Sequence, residues 1–300
     1  MQLVSGVEVL WRTGDEVQVG FGPAHVRLSG LDEAQLACLE RMTRGRVESG
    51  RAEQRLGPQV VSQLRRAGLL VEGRSGPAPA PLVELENTLR RAGMETGRLR
   101  QRPRDAVSVW GPASLVNPLV EALSAAGVGS IDTPQDREGG ELTAGEFSTV
   151  KPAQLAVVMG LAAVDSWTCG QLLVTDQAHL PVVVEEATVR VGPVVVPGVT
   201  PCVRCQDLAM TAQDPAWPAL ICQVRNLRKS PPPAQVCSIA TAAALQAALA
   251  FLTWPDRAPA GALGTARMVW ELDQPYPRVE PVSAHPDCGC GAAPESWELD

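Results

Sequence analysis

The chain has 300 residues and a mass of 31.7 kDa, which is room for about two domains. Hydrophobic residues make up 45% of it and charged residues 20%, a composition that excludes a disordered protein and a coiled coil. The formal net charge is −7, yet residues 1–104 contain 16 arginines and 12 acidic residues and carry an excess of +4. The acidic excess therefore belongs to the rest of the chain.

Residues 1–72 combine short strand patterns with two or three short helix patterns. Apolar and polar residues alternate on both sides of Gly14, which predicts a hairpin and then a third strand. Apolar residues at helical spacing follow. The predicted strands lie near 7–12, 17–21 and 26–28, and the helices near 31–42 and 60–69. We therefore predict a winged-helix-like module over residues 1–72, a type of module that recognises peptides, proteins or DNA.

Residues 73–104 are predicted to be a linker followed by a connecting helix. The segment 73–81 is rich in Pro, Gly and Ala, which is typical of a stiff linker. A helix with a narrow apolar face is predicted over 82–100. Its arginines are interpreted as a solvated face: Arg90, Arg91, Arg98, Arg100, Arg102 and Arg104.

From residue 105 onward, apolar runs typical of buried strands alternate with helix patterns. This alternation predicts a doubly wound, Rossmann-type α/β domain over residues 105–300. The predicted strands are 106–110, one from Val128, 155–159, 180–184 and 267–272, and the predicted helices are 115–126 and 235–252. Residues 188–196 are predicted to form a hairpin that turns at Gly192 and Pro193.

No signal-peptide pattern opens the chain, because Met1–Leu10 has mixed polarity and includes Glu8. The longest low-charge stretch, 231–255, contains Gln and Pro and is predicted to be a buried helix rather than a membrane span. We therefore expect a cytoplasmic protein without a membrane partner. Its thiols stay reduced there, so the cysteines are interpreted as a metal site plus small buried residues.

Two close cysteine pairs are the sharpest chemical signal in the chain. Four thiolates suit a closed, tetrahedral, structural zinc site, and Gly289 and Gly291 free the backbone of the second pair for a tight turn. The predicted ligands are Cys202, Cys205, Cys288 and Cys290. The alternatives are two unrelated pairs of free thiols, or His285 in place of one cysteine.

The other cysteines and isolated polar residues are interpreted mainly as structural. Cys222 is a weak catalytic candidate, because the nearby Arg225 would lower the pKa of its thiol, but a packed residue in a helix is the favoured interpretation. Cys38 and Cys237 are predicted to lie in the core, and Cys169 has no partner at metal spacing. His25 and His179 are each interpreted as a surface residue or a hydrogen-bonded structural residue, and Glu185 with Glu186 as a solvated turn.

The segment 107–117 has the placement of a dinucleotide-binding strand, loop and helix. Gly111 holds the first glycine position of that motif, but Ala113 and Val116 occupy the next two. A Cβ at residue 113 obstructs a phosphate, Val116 obstructs close packing of helix on strand, and Pro112 removes an amide donor. A structural turn is the favoured interpretation, with weak anion attraction at the helix N-terminus as the alternative.

Together these features resemble one family. The relevant segments are Val107-x-Val-x-Gly111, Leu123-x-x-Ala-Gly-Val-Gly129-x-Ile131, Pro201-Cys-x-x-Cys205, the helix from Gln235 and the terminal cysteine pair. They resemble ThiF/MoeB-type domains, the ubiquitin-activating-type adenylyltransferases, over residues 105–292. With the N-terminal module, the chain resembles the ThiF-like, leader-peptide-binding partner proteins of azole-forming (TOMM/bacteriocin) cyclodehydratases. Residues 26–70 are similar to PqqD-like recognition elements.

The resemblance implies a set of nucleotide-binding residues that this sequence supplies only in part. Asp132 would be the acid that binds the ribose, and Asp165 would be the Mg²⁺ ligand, although its spacing differs from the family pattern. Arg137 and Lys151 alone stand where the family carries cations for the phosphates. ATP and Mg²⁺ are therefore doubtful cofactors. The resemblance also implies a homodimer.

Three functions follow, in order of preference. The first is a non-catalytic ThiF-like protein that binds a leader peptide and partners a peptide-modifying enzyme, such as a YcaO-type cyclodehydratase in RiPP biosynthesis. The second is an active adenylyltransferase that activates the C-terminal carboxylate of a small protein. The third is a zinc-stabilised winged-helix DNA-binding protein, which the net charge of −7 disfavours.

Overall fold

A computed structural model of the chain describes residues 1–12, 14–71, 80–134, 147, 150–226, 232–257 and 261–293. The chain divides into two compact units, Met1–Arg100 and Gln101–Asp300. Of the predicted linker at 73–81, residues 73–79 lie outside the described residues, and so does Arg137, while residues 80 and 81 belong to a helix.

In its described residues, the first unit combines short strands with four helices. Strands β2, β3 and β4 form an antiparallel sheet in that order, and β1 pairs with β5. The predicted hairpin and third strand are therefore confirmed. The elements are β1 (Gln2–Leu3), β2 (Val9–Trp11), β3 (Glu16–Val19), β4 (Val26–Ser29), α1 (Glu33–Arg44), α2 (Ser49–Leu56), α3 (Pro58–Arg66), β5 (Leu70–Val71) and α4 (Ala80–Arg91).

The helices of this unit start at clear sequence signals. Asp32 and Gln35 form a capping box at the start of α1, and Pro58 starts α3, where its missing N–H costs no hydrogen bond. The buried faces of α1, α2 and α3 share a core with the apolar side of the sheet, where Val17 and Val19 are fully buried. One hydrophobic core thus holds sheet and helices together.

The second unit is a mixed α/β structure around one sheet. A 3-10 segment (Leu99–Arg104) precedes its first strand. The strands are β6 (Ala106–Trp110), β7 (Ser130–Asp132), β8 (Leu155–Leu161), β9 (His179–Val184), β10 (Thr188–Val191), β11 (Ala266–Glu271) and β12 (Arg278–Pro281). The helices are α5 (Ala113–Ala125), α6 (Ser166–Val174), α7 (Val203–Gln213), α8 (Trp217–Asn226), α9 (Ala234–Thr253) and α10 (Ala262–Thr265).

Its seven strands run in the order β12-β11-β10-β9-β8-β6-β7. The four strands from β9 to β7 are parallel, and β10, β11 and β12 extend the sheet in antiparallel fashion. Helices α5 and α9 pack on one face, while α6 packs on the other. The sheet is consistent with the Rossmann-like fold that the alternation predicts.

The predicted hairpin at 188–196 is wrong. Strand β10 ends at Val191 and pairs with β9 on one side and β11 on the other. Residue Val195 instead forms an isolated bridge with His179. In a valine-rich run the side chains alternate between the two faces of the sheet whichever strand lies beside it. The local sequence pattern therefore could not identify the partner strand.

The interpretation of the connecting helix also needs correction. Helix α4 ends at Arg91 rather than near residue 100. The arginines predicted for this helix are not all simply solvated, because Arg90 of α4 and Arg100 of the 3-10 segment both pair with the buried carboxylate of Glu86. Arg102 is itself buried and donates to the Thr253 hydroxyl within the second unit.

Among the described residues, α9 is the one helix long and apolar enough to cross a membrane, with a mean hydropathy of 1.8. It packs on α5 and on strands β8, β9 and β10 of the central sheet. Half of its most apolar window is buried in this packing, as expected for the predicted core helix.

Candidate functional site

The structure brings the four predicted cysteines together. Cys202 is the N-cap residue of α7, and Cys205 lies in the first turn of that helix. Cys288 and Cys290 belong to the turns that follow β12. The Sγ–Sγ distances are 3.8 Å for Cys202–Cys205, 3.6 Å for Cys202–Cys288 and 3.6 Å for Cys205–Cys290.

These distances fit one tetrahedral metal ion. Zn–S bonds of about 2.3 Å place the sulfurs of a regular tetrahedron about 3.8 Å apart, and all four Sγ atoms lie within 4.8 Å of one another. Their spacing is too long for S–S bonds, and all four cysteines are free. The cluster can therefore hold a metal ion, and its all-thiolate donor set is compatible with zinc.

Hydrogen bonds favour a thiolate in this cluster. The Cys202 thiol donates to Sγ of Cys205, which lowers the pKa of Cys205 to about 4 and raises the pKa of Cys202. Burial raises the pKa of Cys288. The ring of His285 is outside the group, because its Nδ1 accepts the Asp287 amide.

The remaining cysteines do not join the cluster. Cys38 and Cys169 are buried, and Cys237 is partly buried on α9. Cys222 lies on α8 with its side chain exposed. The structure therefore places the weak catalytic candidate on a surface helix, apart from the four clustered thiols.

The predicted nucleotide residues lie at the carboxyl edge of the parallel strands. Gly111 follows β6, Ala113 begins α5, and Asp132 ends β7, opposite Ser108 of β6. Gly111 has φ +135°, and a Cβ there would lie 2.2 Å from the carbonyl oxygen of Met159. This glycine therefore allows the loop to pack tightly against β8.

The other loop positions are occupied in ways that do not fit a phosphate chain. Val116 is buried in the core between α5 and the sheet. Pro112 is the N-cap residue of α5 and has no side-chain cap. The carboxylate of Asp165 caps α6, accepting the amides of Trp167 and Thr168. We therefore derive no nucleotide chemistry from this edge.

His179 is not a surface residue. It is fully buried at the start of β9, and its Nδ1 hydrogen bonds with the Gln177 carbonyl. Among the described residues, its Nε2 has no partner. Burial lowers the pKa of His179 to about 4, so the ring is neutral at physiological pH.

One feature of this unit was missed by sequence reasoning. A cleft of about 210 Å³ lies between strands β9–β11 and helices α7 and α8. Its walls include Val183, Arg190, Gln206, Met210, Ile221 and Arg267. Glu185, expected in a solvated turn, also lines this α7–α8 cleft and pairs with Arg190. No local signal links these residues, because they come from five separate elements and one connecting segment.

Comparison with known proteins finds a similar fold among solved structures. No protein-family model matches the sequence, and neither does any curated protein. Solved structures do match. A heterocyclase in complex with substrate and cofactor has a TM-score of 0.67 at 16% identity, over 97% of this chain and 39% of its own.

Two more neighbours share the fold. The heterocyclase TruD has a TM-score of 0.66 at 18% identity, over 97% of this chain and 42% of its own. Escherichia coli MccB has a TM-score of 0.64 at 14% identity, over 100% of this chain and 99% of its own. MccB has also been solved with ATP and with MccA.

The chain thus spans about two-fifths of the heterocyclase chains and nearly all of MccB. At these identities the similarity is one of fold. This chain therefore shares the fold of the heterocyclase chains and of MccB.

Proposed function

We propose that this chain is a non-catalytic ThiF-like protein that binds a leader peptide and partners a peptide-modifying enzyme such as a YcaO-type cyclodehydratase. The fold neighbours support this, because two are heterocyclases and the third has been solved with MccA. The heterocyclase chains extend well beyond the part that this chain matches.

We assign the peptide to a winged-helix-like module over residues 1–72, followed by a linker and connecting helix (73–104) and a ThiF-like domain (105–300). The observation that carries the assignment is the free edge of β4. This strand pairs with β3 on one side, no described strand pairs with its other side, and α3 contacts it. An exposed sheet edge beside a helix suits an extended peptide that adds as a further strand.

Fluorescence polarisation tests this site with labelled synthetic leader peptides of candidate precursors. We expect micromolar binding to the full chain. Val60→Asp places a charge at a half-buried position of α3 and is expected to weaken binding at least tenfold. Gln59→Asp adds the same charge at an exposed neighbouring position and serves as the control.

Two results would contradict the peptide proposal. One is the absence of binding by the folded wild-type chain at 100 µM protein. The other is equal binding by both aspartate variants, which would place the peptide away from α3.

An active adenylyltransferase is the alternative, supported by the MccB complex with ATP. The loop at Gly111 speaks against it, since Pro112, Ala113 and Val116 offer no phosphate cradle and Asp165 is used as a helix cap. We expect no ATP–pyrophosphate exchange and no ATP binding by calorimetry. Ala113→Gly alone should not create affinity, because only Arg137 and Lys151 stand where the resemblance implies cations for the phosphates. Measurable exchange would establish the alternative.

We also propose that the four-cysteine cluster holds one structural zinc ion per chain, with no open position for chemistry. The Sγ–Sγ distances support this proposal. A homodimer and a cytoplasmic location complete the proposed description. Elemental analysis and light scattering of the purified chain test the metal and the dimer directly.

A further inference from the structure

A groove of about 830 Å³ opens onto the four-cysteine cluster. Cys202, Cys288 and Cys290 line it, and residues of α6, including Gly170, form another part of its wall. A groove of this size admits water and small solutes. The sulfur atoms of the cluster are therefore within reach of reagents from solvent.

The four cysteines differ in how far they are exposed. Cys288 and Cys290 are half-buried, whereas Cys202 and Cys205 are fully buried. A solute in the groove therefore meets the first two thiols before the others. Each of these has one fully buried thiol close to it, because the Sγ–Sγ distance is 3.6 Å both for Cys288 with Cys202 and for Cys290 with Cys205.

The segment that carries the half-buried thiols has room to move. An S–S bond is about 2.05 Å long, so that each of these pairs must close by about 1.5 Å to form a disulfide. Cys288 and Cys290 lie in turns after β12, and a Cβ on the intervening Gly289 would meet no described atom within 4 Å. These two pairs are therefore placed to form disulfides.

We propose that the four-cysteine cluster is a site of reversible thiol oxidation, at which Cys288 and Cys290 react with a peroxide from the groove and then form disulfides with Cys202 and Cys205. The Cys288 thiolate attacks one oxygen of hydrogen peroxide, which gives a sulfenic acid and releases hydroxide. The Cys202 thiolate attacks that sulfur, forms the S–S bond and releases a second hydroxide. Two protons from solvent convert both hydroxides to water, and Cys290 reacts with Cys205 in the same way.

The reaction also affects a bound metal ion. Thiolates are the metal-binding form of cysteine, so disulfide formation releases the ion. For zinc, this consequence rests on the structural zinc ion proposed above. The two disulfides would still join the tail after β12 (residues 283–293) to the start of α7, because each links one cysteine of the tail to Cys202 or Cys205.

Peptide mapping of the full chain identifies the disulfides. The chain carries Cys222→Ser, because Cys222 is exposed and lies on the same tryptic peptide as Cys205. It is treated with about 1 mM hydrogen peroxide, and the remaining thiols are blocked with N-ethylmaleimide before digestion without reductant. Trypsin cuts after Arg204, which separates Cys202 from Cys205.

We expect the peptides 191–204 and 205–225 both to be linked to 279–300, which carries the two cysteines of the tail. Dithiothreitol should reverse both links. Cys288→Ser should lose only the link to 191–204, and Cys290→Ser only the link to 205–225. Each of these variants is the control for the other.

Metal release and stability provide a second readout. A chromophoric chelator should detect about one zinc ion per chain during oxidation. Before oxidation, EDTA should lower the Tm by roughly 10 °C, because it removes the ion that holds the tail. After oxidation, EDTA should leave the Tm almost unchanged, because the disulfides hold the tail instead.

Glutathione disulfide, a bulkier oxidant, tests the groove as the route to the cluster. The Cys288 thiolate displaces one glutathione thiolate and the Cys202 thiolate displaces the other, so two glutathione molecules leave for each protein disulfide. Gly170→Leu places a side chain in the groove without a clash at Cβ and should slow this reaction about threefold. Gly50→Leu, at an exposed and equally open position of α2, should react like the wild type.

Three results would overturn the proposal. The first is a direct link between peptides 191–204 and 205–225, and the second is oxidation of the tail cysteines to sulfinic or sulfonic acids without a disulfide. The third is a chain whose cluster thiols all remain free after several hours in peroxide. Equal rates for Gly170→Leu and Gly50→Leu would exclude the groove as the route.

Failure of the zinc assignment has a different signature. A chain that contains no zinc before treatment contradicts that assignment alone, because the disulfide map does not depend on the metal.

Discussion

The four-cysteine cluster and the loop at Gly111 belong to the same unit and differ in what their side chains do. At the cluster, all four thiols face one point with Sγ–Sγ distances suited to a metal ion. At the loop, Val116 packs in the core, and after the neighbouring strand β8 the carboxylate of Asp165 caps a helix. The four thiols together form a complete set of donors for one metal ion, whereas Val116 and Asp165 serve packing and capping. The fold therefore brings together four thiols that can hold a metal ion, while the described residues near Gly111 serve packing and capping.

The largest effect is expected from breaking the cluster. Cys202→Ser removes one ligand, and because metal-binding energy is part of folding energy it should destabilise the second unit by about 4–5 kcal/mol or more. Elemental analysis should find one zinc per wild-type chain and a loss of zinc in the variant. Urea unfolding measures the change in stability.

The control for this variant is Cys222→Ser, which replaces an exposed thiol outside the cluster. It should keep the zinc and the wild-type stability. A wild-type chain without metal, or equal effects of the two serines, would contradict the zinc assignment.

The second largest effect is expected from a substitution in the loop at Gly111. Gly111→Ala places a methyl group 2.2 Å from the Met159 carbonyl oxygen at φ +135°, so strain and overpacking should together cost about 3–4 kcal/mol. Gly170→Ala on α6 meets no atom within 4 Å and should stabilise the chain slightly. Thermal unfolding compares the two variants, and a neutral Gly111→Ala would refute the tight packing of loop on strand.

A third effect depends on pH. In the folded state the pKa of His179 is about 4, below the usual 6.5. Between these pH values the unfolded state therefore binds a proton that the folded state does not. Stability from this residue is complete above pH 6.5 and is lost as the pH falls toward 4. Between pH 7 and pH 5 the loss should be about 2 kcal/mol.

Urea unfolding at several pH values measures this loss in the wild type and in His179→Gln. The variant should have the shallower pH dependence, while His25→Gln, at an exposed position, should keep the wild-type slope. Equal slopes for all three proteins would show that His179 does not stay neutral in the fold. Acid effects on the cysteine cluster are common to all three and cancel in the comparison.

The smallest effect tests the role of Asp165. Asp165→Ala removes the cap of α6 and should cost about 1 kcal/mol. Asp165→Asn keeps a capping oxygen and should restore most of the stability. Calorimetry with and without Mg²⁺ distinguishes a capping role of Asp165 from a metal-binding role. If Mg²⁺ stabilises the wild type but neither variant, this carboxylate binds the metal.

The sequence predicted the buried elements well. Strand β9 and helix α9 lie within one or two residues of the predicted 180–184 and 235–252, because elements buried in the sheet core read as uninterrupted apolar runs. The partner of β10 could not be predicted in this way, since β11 lies far along the chain. Burial of Arg102 was equally hidden, because the hydroxyl that it meets is 151 positions away.

The site was predictable to the extent that its chemistry constrains residue type. Four cysteines in two close pairs indicate a thiolate metal centre whatever the fold around them. The α7–α8 cleft has no such signature, because Val183, Arg190, Ile221 and Arg267 are ordinary surface and core residues until the fold assembles them. Clefts of this kind follow from topology and are visible only in three dimensions.

The cluster also has a topological consequence. Cys202 and Cys288 are 86 positions apart, so a bound metal ion closes a loop that contains α7, α8, α9 and the last two strands. Cross-linking a loop of this length removes chain entropy from the unfolded state, on the order of 4 kcal/mol by the loop-closure estimate used for disulfides. A protease that cuts inside the loop would leave two fragments joined through the metal, and a chelator would release them.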